Sequence, residues 1–280
     1  MQGQIIREYG QTLEVDSQSR IYSCFPRKNI PSLVVGDWVE FDWDPITQQG
    51  VITNRLSRKS FLARRDRYHP LKEMAANIDQ VVVMIAPIPE PNEYYLDQYL
   101  VAAELNKLNV FILFNKADLL DTAETEIEKN YKSIGYSVLR ISAKTGLGLE
   151  VLQTHLTGKL SFLLGVSGVG KSSLINMLIQ DAKASVQEIS TANQKGQHTT
   201  SVSTLYRLSQ DTAIIDVPGI RELQLPAALQ THLPAGFREF QPWLGQCRFR
   251  NCSHQGDPGC ILVGKASPQR LKNYYRMCQG

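Results

Sequence analysis

Apolar and polar positions alternate in short stretches over the first part of the chain. QGQIIREY, TLEVDS, RIYSCF, DWVEFDW and GVITNRL are separated by turn formers such as Gly10, Pro31, Gly36 and Asp44-Pro45. A period of two over runs this short predicts strands with one buried face. Five of them within residues 1–70 predict a small barrel, for which the oligonucleotide-binding (OB) type is one candidate. A stabilising β-cap without a ligand fits the same pattern, and no RNP-like aromatic signature decides between the two.

From about residue 73 the rhythm changes. Apolar runs VVVMIA (81–86), VFILF (110–114), SVLRIS (137–142), LSFLLG (160–165) and TAIIDV (212–217) read as buried parallel strands. Helix-like segments such as EYYLDQYLVAAELNKL and TAETEIEKNYKSIG lie between them. The alternation predicts an α/β, doubly wound sheet that binds ligands beyond the carboxyl ends of its strands. After about residue 221 the chain becomes rich in Cys, Pro and Arg. The expected division is 1–70, 71–222 and 223–280.

Composition adds little to this until charge is mapped along the chain. At 42% hydrophobic and 20% charged, it is that of a soluble globular protein. No apolar run approaches the about 20 residues of a membrane span. The opening MQGQIIREYG has no signal-peptide pattern, and RMCQG puts Cys278 third from the end, not fourth as a lipidation signal requires. The expectation is a cytoplasmic protein that does not engage membranes. The net +3 divides into +3 over residues 1–72, −5 over 73–220 and +5 over 221–280. RLSRKSFLARRDRYHPLK (55–72) holds seven basic residues and one acidic, a run that suits solvated surface or nucleic-acid contact equally.

The middle region carries the chemistry. GVSGVGKSS (165–173) fits G-x-x-x-x-G-K-[ST], with a strand before it and a helix after. Backbone N–H groups from Gly165 through Val166, Ser167, Gly168, Val169 and Gly170 would cradle phosphates with the first helical turn at Ser173. Lys171 would add charge to the β/γ-phosphates, and Ser172 can ligate Mg²⁺. NKAD (115–118) follows the strand VFILF. There the Asp118 carboxylate can accept from guanine N1–H and N2–H₂, a pattern adenine does not offer. Lys116 can lie along the base, and Asn115 can tie this loop to the phosphate loop. Ser142, Ala143 and Lys144 form SAK after the next strand, where the Ala143 N–H could meet guanine O6. DVPG (216–219) closes TAIIDV, with Asp216 placed to hold Mg²⁺ through water and Gly219 to offer its N–H to a γ-phosphate. Between the phosphate loop and DVPG lies TANQKGQHTTSVSTL, from which Thr199 or Thr200 could complete the Mg²⁺ shell.

These elements run in the order NKxD, SAK, phosphate loop, Thr, DxPG. Joining the usual ends of a guanine-nucleotide domain and cutting after DxPG reproduces that order, so the domain is circularly permuted. Beyond it, Cys247, Cys252, His254 and Cys260 are spaced C-x4-C-x-H-x5-C. Three sulfurs and an imidazole can complete a tetrahedral zinc site, while unpaired buried thiols in a small fold are the plainer alternative. Ser267 and Pro268 then start a helix bearing Arg270, Lys272, Tyr274, Tyr275 and Arg276.

Taken together, NKAD, SAK, GVSGVGKSS, GQHTT, DVPG and the cysteine–histidine spacing make the whole chain resemble the circularly permuted GTPases of small ribosomal subunit biogenesis, the RsgA/YjeQ family. The resemblance implies an N-terminal OB-fold barrel, a permuted P-loop GTPase domain and a C-terminal zinc-binding module. It implies GTP and GDP, Mg²⁺ and one Zn²⁺. It also implies a monomer that binds the small (30S) subunit and its 16S rRNA, assists late maturation, hydrolyses GTP slowly alone and faster on the subunit, and then dissociates. Ile220 stands where other GTPases carry a water-positioning glutamine, and His198 matches the histidine proposed to substitute for it. Gln197 departs from the basic residue more usual there.

Overall fold

The structure, a computed structural model, describes residues 1–65, 71–185 and 202–279, with the backbone alone at 183–185. Five strands form the N-terminal barrel: β1 (Gln2–Tyr9), β2 (Thr12–Ser17), β3 (Arg20–Pro26), β4 (Trp38–Asp44) and β5 (Gln49–Arg55). They run in the order β1-β2-β3-β5-β4, and a β1–β4 pairing closes the ring, with β3 and β5 parallel. Register shifts at Ile5/Arg7 and Glu40/Phe41 bend the strands as closure of a small barrel requires. The alternation expected from sequence places Ile5, Val15, Cys24, Val39, Phe41 and Ile52 wholly inside. Burial pushes the Cys24 thiol up to about 12, which leaves it an inert core residue.

A hairpin of β6 (Phe61–Arg64) and β7 (Lys72–Ala76) leads into the second region, and its junction with the barrel is part apolar, with Ile6 and Val35 in one cluster with Leu62, Met74 and Ala75, and part polar. Gly36, at φ +95°, sits so close to the Ala76 carbonyl that a Cβ would collide with it. Its own carbonyl accepts from Asn77 Nδ2 at 2.9 Å and Gln4 Nε2 at 3.2 Å. Asp37, fully buried, takes the fork of Arg58 at 2.6 and 2.8 Å, and Arg58 also reaches Glu73 at 2.7 Å. The basic run at 55–72 is therefore not all surface. Arg58 is a structural cation and Arg55 bonds the Ser32 carbonyl, whereas Arg65 stands exposed.

The central sheet contains β8 (Gln80–Ile85), β9 (Asn109–Phe114), β10 (Val138–Arg140), β11 (Leu160–Leu164), β12 (Thr204–Arg207) and β13 (Ala213–Asp216), ordered β10-β9-β8-β11-β13-β12. All pairs are parallel except β12–β13. The five apolar runs became the five parallel strands, and β8 and β11 are buried at every position because helices cover both faces. The antiparallel edge strand β12 was not among the predicted strands. It meets β1 at Arg7↔Thr204, splicing barrel to sheet.

α3 (Leu149–Leu156) and α4 (Lys171–Ser185) cover one face through Leu152, Leu156, Leu174, Ile175 and Leu178. α1 (Glu93–Leu105) and α2 (Glu126–Ser133) cover the other. α2 starts where its capping box dictates, with the Thr125 and Glu128 side chains each bonding the other's backbone N–H. α1 is buried on most sides, including Asp97 and Gln98, because the C-terminal region packs on its outer side. That region holds the short α5 (Ala227–Gln230), 3-10 turns and α6 (Pro268–Gln279), which is capped by the Ser267 hydroxyl as expected. Phe237 and Phe240 stack at 4.6 Å, and Tyr274 stands edge-on to both. They belong to the same apolar cluster as α1 and β8.

Candidate nucleotide and zinc sites

In a parallel sheet all carboxyl ends face one way, so the loops after β9, β10, β11 and β13 converge on one edge. Asn115 is the node between three of them. Its Nδ2 donates to the Val169 carbonyl of the 165–170 loop at 2.8 Å, and its Oδ1 accepts from the Ala143 N–H at 2.9 Å. Asn115 is 2% exposed, so both bonds are shielded from water and strengthened by the low local dielectric. Gly170, at φ +98°, lies directly under this amide, and any Cβ there would strike Asn115 Nδ2. Lys116 adopts a left-handed conformation and lays its ammonium on the carbonyls of Gly168 at 2.8 Å and Ile88 at 2.6 Å. The Ile88 contact had no signal in the sequence, since a backbone acceptor is indifferent to residue type.

Asp118 stands exposed at the rim, and the Ser142 hydroxyl donates to its Oδ1 at 2.6 Å. That bond, helped by Lys144 and Lys116, holds the carboxyl below its ordinary value. It therefore stays an ionised, acceptor-only group. Lys144 and Thr145 turn their N–H groups back to Ser142 Oγ, which fixes the SAK loop.

Gly165 and Val169 of the phosphate-type loop are buried, Val166 and Gly170 half-buried, and Ser167 and Gly168 exposed. The loop ends in the first turn of α4 with Ser172 and Ser173 exposed. Lys171 curls its ammonium onto the loop's own carbonyls, Gly165 O at 2.7 Å and Val166 O at 3.3 Å. Burial lowers its pKa and the Asp216 carboxylate works against that. An ammonium held this way can be transferred to an anion entering the loop with little rearrangement. Asp216 ends β13, 2% exposed and in register with Leu163 of β11. Gly219 is exposed, at φ +74°, with open space around it. His198, Thr199 and Thr200 lie outside the described residues.

The second site is in the C-terminal region. The ligand atoms of Cys247, Cys252, His254 and Cys260 all lie within 4.8 Å of one another. His254 Nδ1 is 3.4, 3.7 and 3.6 Å from the three sulfurs. Tetrahedral bonds of about 2.3 Å to sulfur and about 2.0 Å to nitrogen put S and N about 3.5 Å apart. The donor set and spacing therefore fit one Zn²⁺. Asp257 lines the site, accepting from the Ser253 hydroxyl at 2.6 Å and backbone N–H at 3.0 Å.

Sequence reasoning missed a third cluster. Asp97 on α1, fully buried, receives Arg270 Nη1 and Asn273 Nδ2 from α6 and the Tyr131 hydroxyl from α2. Arg270 also forks onto Glu239. The partners lie far apart in the chain, so no local spacing announces them.

A permuted guanine-nucleotide sheet with a barrel before it and a Cys₃His knuckle after it defines the class: a circularly permuted GTPase. The family model described as RsgA GTPase matches residues 55–226. A protein of Marinobacter nauticus named "Small ribosomal subunit biogenesis GTPase RsgA" is 40% identical over 99% of this chain and 83% of its own length. One of the same name from Pseudomonas aeruginosa is 40% identical over 97% and 83%. Among solved structures, YjeQ from Thermotoga maritima superposes with a TM-score of 0.67 at 29% identity, covering 99% of this chain and 97% of that one. YloQ, described as a circularly permuted GTPase, gives 0.70 at 23% over 99% and 93%, a likeness of fold. The chain belongs to the RsgA GTPase family.

Proposed function

We propose that this protein binds the small ribosomal subunit, assists its late maturation, hydrolyses GTP slowly alone and faster on the subunit, and then leaves. The observation that carries the reading is identity to the named relatives over nearly the whole chain. It takes in the barrel and the zinc module as well as the nucleotide loops. Residues 1–70, 71–222 and 223–280 act as barrel, GTPase and zinc units, and the barrel and zinc module grip 16S rRNA. The protein works as a monomer in the cytoplasm. No helix among the described residues is long and apolar enough to cross a membrane.

Within the site, Asp118 reads guanine N1–H and N2–H₂, and Ala143 offers O6 an N–H shared with Asn115. Loop 165–170 and Lys171 hold the phosphates. Ser172, with Asp216 behind it and Thr200, would supply the hard oxygen set that suits Mg²⁺, which would contribute charge neutralisation at the phosphates. Gly219 offers its N–H to the γ-phosphate, and His198 orients the attacking water. GTP turnover measured alone and with small subunits tests this, with ATP and large subunits as controls. A rise with GTP and small subunits only is expected. Tight GTP binding without that rise would favour an assembly factor that uses nucleotide only to stay folded.

A further inference from the structure

Gly219 is exposed and a Cβ there would meet none of the described residues, yet the chain is fixed immediately behind it. Ile220, Leu223 and Leu225 are 6%, 0% and 6% exposed and belong to the cluster that includes Tyr99 and Leu96 of α1. The Tyr99 hydroxyl, on a side chain 2% exposed, donates to the carbonyl of Arg221 at 2.8 Å and approaches that of Ile220 at 3.3 Å. Next to it on α1, Gln98 Oε1 accepts the Leu223 N–H at 3.3 Å. Burial raises the Tyr99 phenol, with Tyr95 adding to the rise and Arg221 opposing it. The hydroxyl therefore keeps its proton and remains a donor.

We propose that Tyr99, seconded by Gln98, is a positioning residue for GTP hydrolysis: by holding the first two carbonyls after Gly219, it aims the Gly219 N–H at the γ-phosphate. The inference rests on the reading of Gly219 given above. α1 is the rigid part of the arrangement, packed between the sheet and the C-terminal region. A glycine at positive φ is conformationally permissive, so its peptide plane takes its orientation from what holds the chain on either side: Asp216 in β13 before it and the Tyr99 bonds after it. A contact made only to the γ-phosphate is absent with GDP. Losing its aim therefore lowers kcat and leaves GDP affinity unchanged.

Tyr99→Phe removes one hydroxyl and no volume. The expected result is a fall in kcat of about ten-fold, the equivalent of ~1.4 kcal/mol, with GDP affinity as in the wild type. Hydrogen exchange at residues 217–223 should lose the protection that a non-hydrolysable GTP analogue gives the wild type. Tyr136→Phe is the control, because that buried hydroxyl has no hydrogen-bond partner among the described residues; it should keep wild-type kcat. Gln98→Ala should lower kcat by about three-fold. Wild-type kcat in Tyr99→Phe, or a parallel loss of GDP affinity, would overturn the proposal. Lys171→Ala marks the site itself: if it turned over GTP normally, the site reading would fall and this inference with it.

Discussion

The barrel and the C-terminal region flank the same sheet but are held in shape by different means. The barrel closes on a core of its own, in which Ile5, Val15, Cys24, Val39, Phe41 and Ile52 touch no water. Its junction with the sheet adds a polar lock of Gly36, Asp37 and Arg58 to an apolar contact, in which Ile6 and Val35 join the cluster of the sheet. The C-terminal region has no separate core among the described residues. Leu233, Phe237, Phe240, Leu262, Leu271, Tyr274 and Met277 join the cluster under α1, and a segment this short buries too little surface to stand alone. It is grafted onto α1 at one end and carries at the other a Cys₃His set that fits a metal ion. The barrel is a unit attached to the GTPase sheet, whereas the zinc module is an extension of it. A change at the nucleotide edge that moves α1 must therefore move the zinc module too.

Removing the metal should break the comparison most. A structural zinc site contributes about 10–16 kcal/mol in isolated peptides. Cys252→Ser, or a strong chelator, should take bound zinc from one equivalent toward none by elemental analysis. Hydrogen-exchange protection should collapse over 247–279 and persist over 1–55. Equal loss in both regions would show that the barrel depends on the module.

The graft comes next. Burial pushes Asp97 up, and Arg270, Tyr131 and Asn273 pull it back. Arg270→Met leaves that carboxylate buried without its cation, at a cost of about 3–5 kcal/mol. Asp97→Leu combined with Arg270→Met should recover only part of it, because it removes the buried charge pair but leaves the Tyr131 hydroxyl, Asn273 Nδ2 and the Glu239 carboxylate without the partners they bond. Denaturant unfolding of the two proteins measures this. Ile52→Ala, within the barrel, should cost about 2–4 kcal/mol and leave GDP affinity untouched. A fall in GDP affinity would mean that the junction transmits more than the barrel's own core implies.

The tie of the NKAD loop to the 165–170 loop through Asn115 was legible in sequence and the graft was not, for a physical reason. A phosphate-binding turn demands Gly165 and Gly170 at fixed spacing, and a base reader demands a carboxylate after a strand, so chemistry writes itself into short runs. The parallel strands were legible because burial on both faces leaves them uniformly apolar. β12 escaped because TLYR, at an antiparallel edge, is neither alternating nor continuous. Arg58 escaped because a run of basic residues reads as surface, while its partner Asp37 stands 21 positions earlier. Asp97 and Arg270 are 173 positions apart, and only the folded α1–α6 contact makes them a pair. Tyr99 reads as one more apolar residue of α1 until the carbonyls of 220 and 221 arrive beside it.

Acid should separate the regions by the smallest but most informative margin. Burial by itself would raise Glu128. The Arg140 guanidinium, with the Thr125 N–H and hydroxyl, outweighs that and holds the carboxyl at about 2, against an ordinary 4.5. A depressed native pKa contributes stability that is complete above 4.5 and is lost as pH falls toward about 2. After solvent screening at the partly exposed Arg140, the amount is about 1–2 kcal/mol. Arg140 also bonds the carbonyls of Asp121, Thr122 and Ala123, just beyond NKAD. One helical turn past Glu128, Tyr131 reaches Asp97. Protonating Glu128 should therefore loosen α2, slacken the Asp118 loop and weaken the graft together, while the barrel stays closed. Hydrogen exchange followed from pH 5 down to about pH 3 checks this: protection should fall at 116–133 before it falls at 1–55. In Arg140→Met the pH-dependent part should shrink but not vanish, because the Thr125 bonds to Glu128 and the Ser142 bond to Asp118 remain. Simultaneous loss in both regions would place the acid-sensitive contact elsewhere than α2.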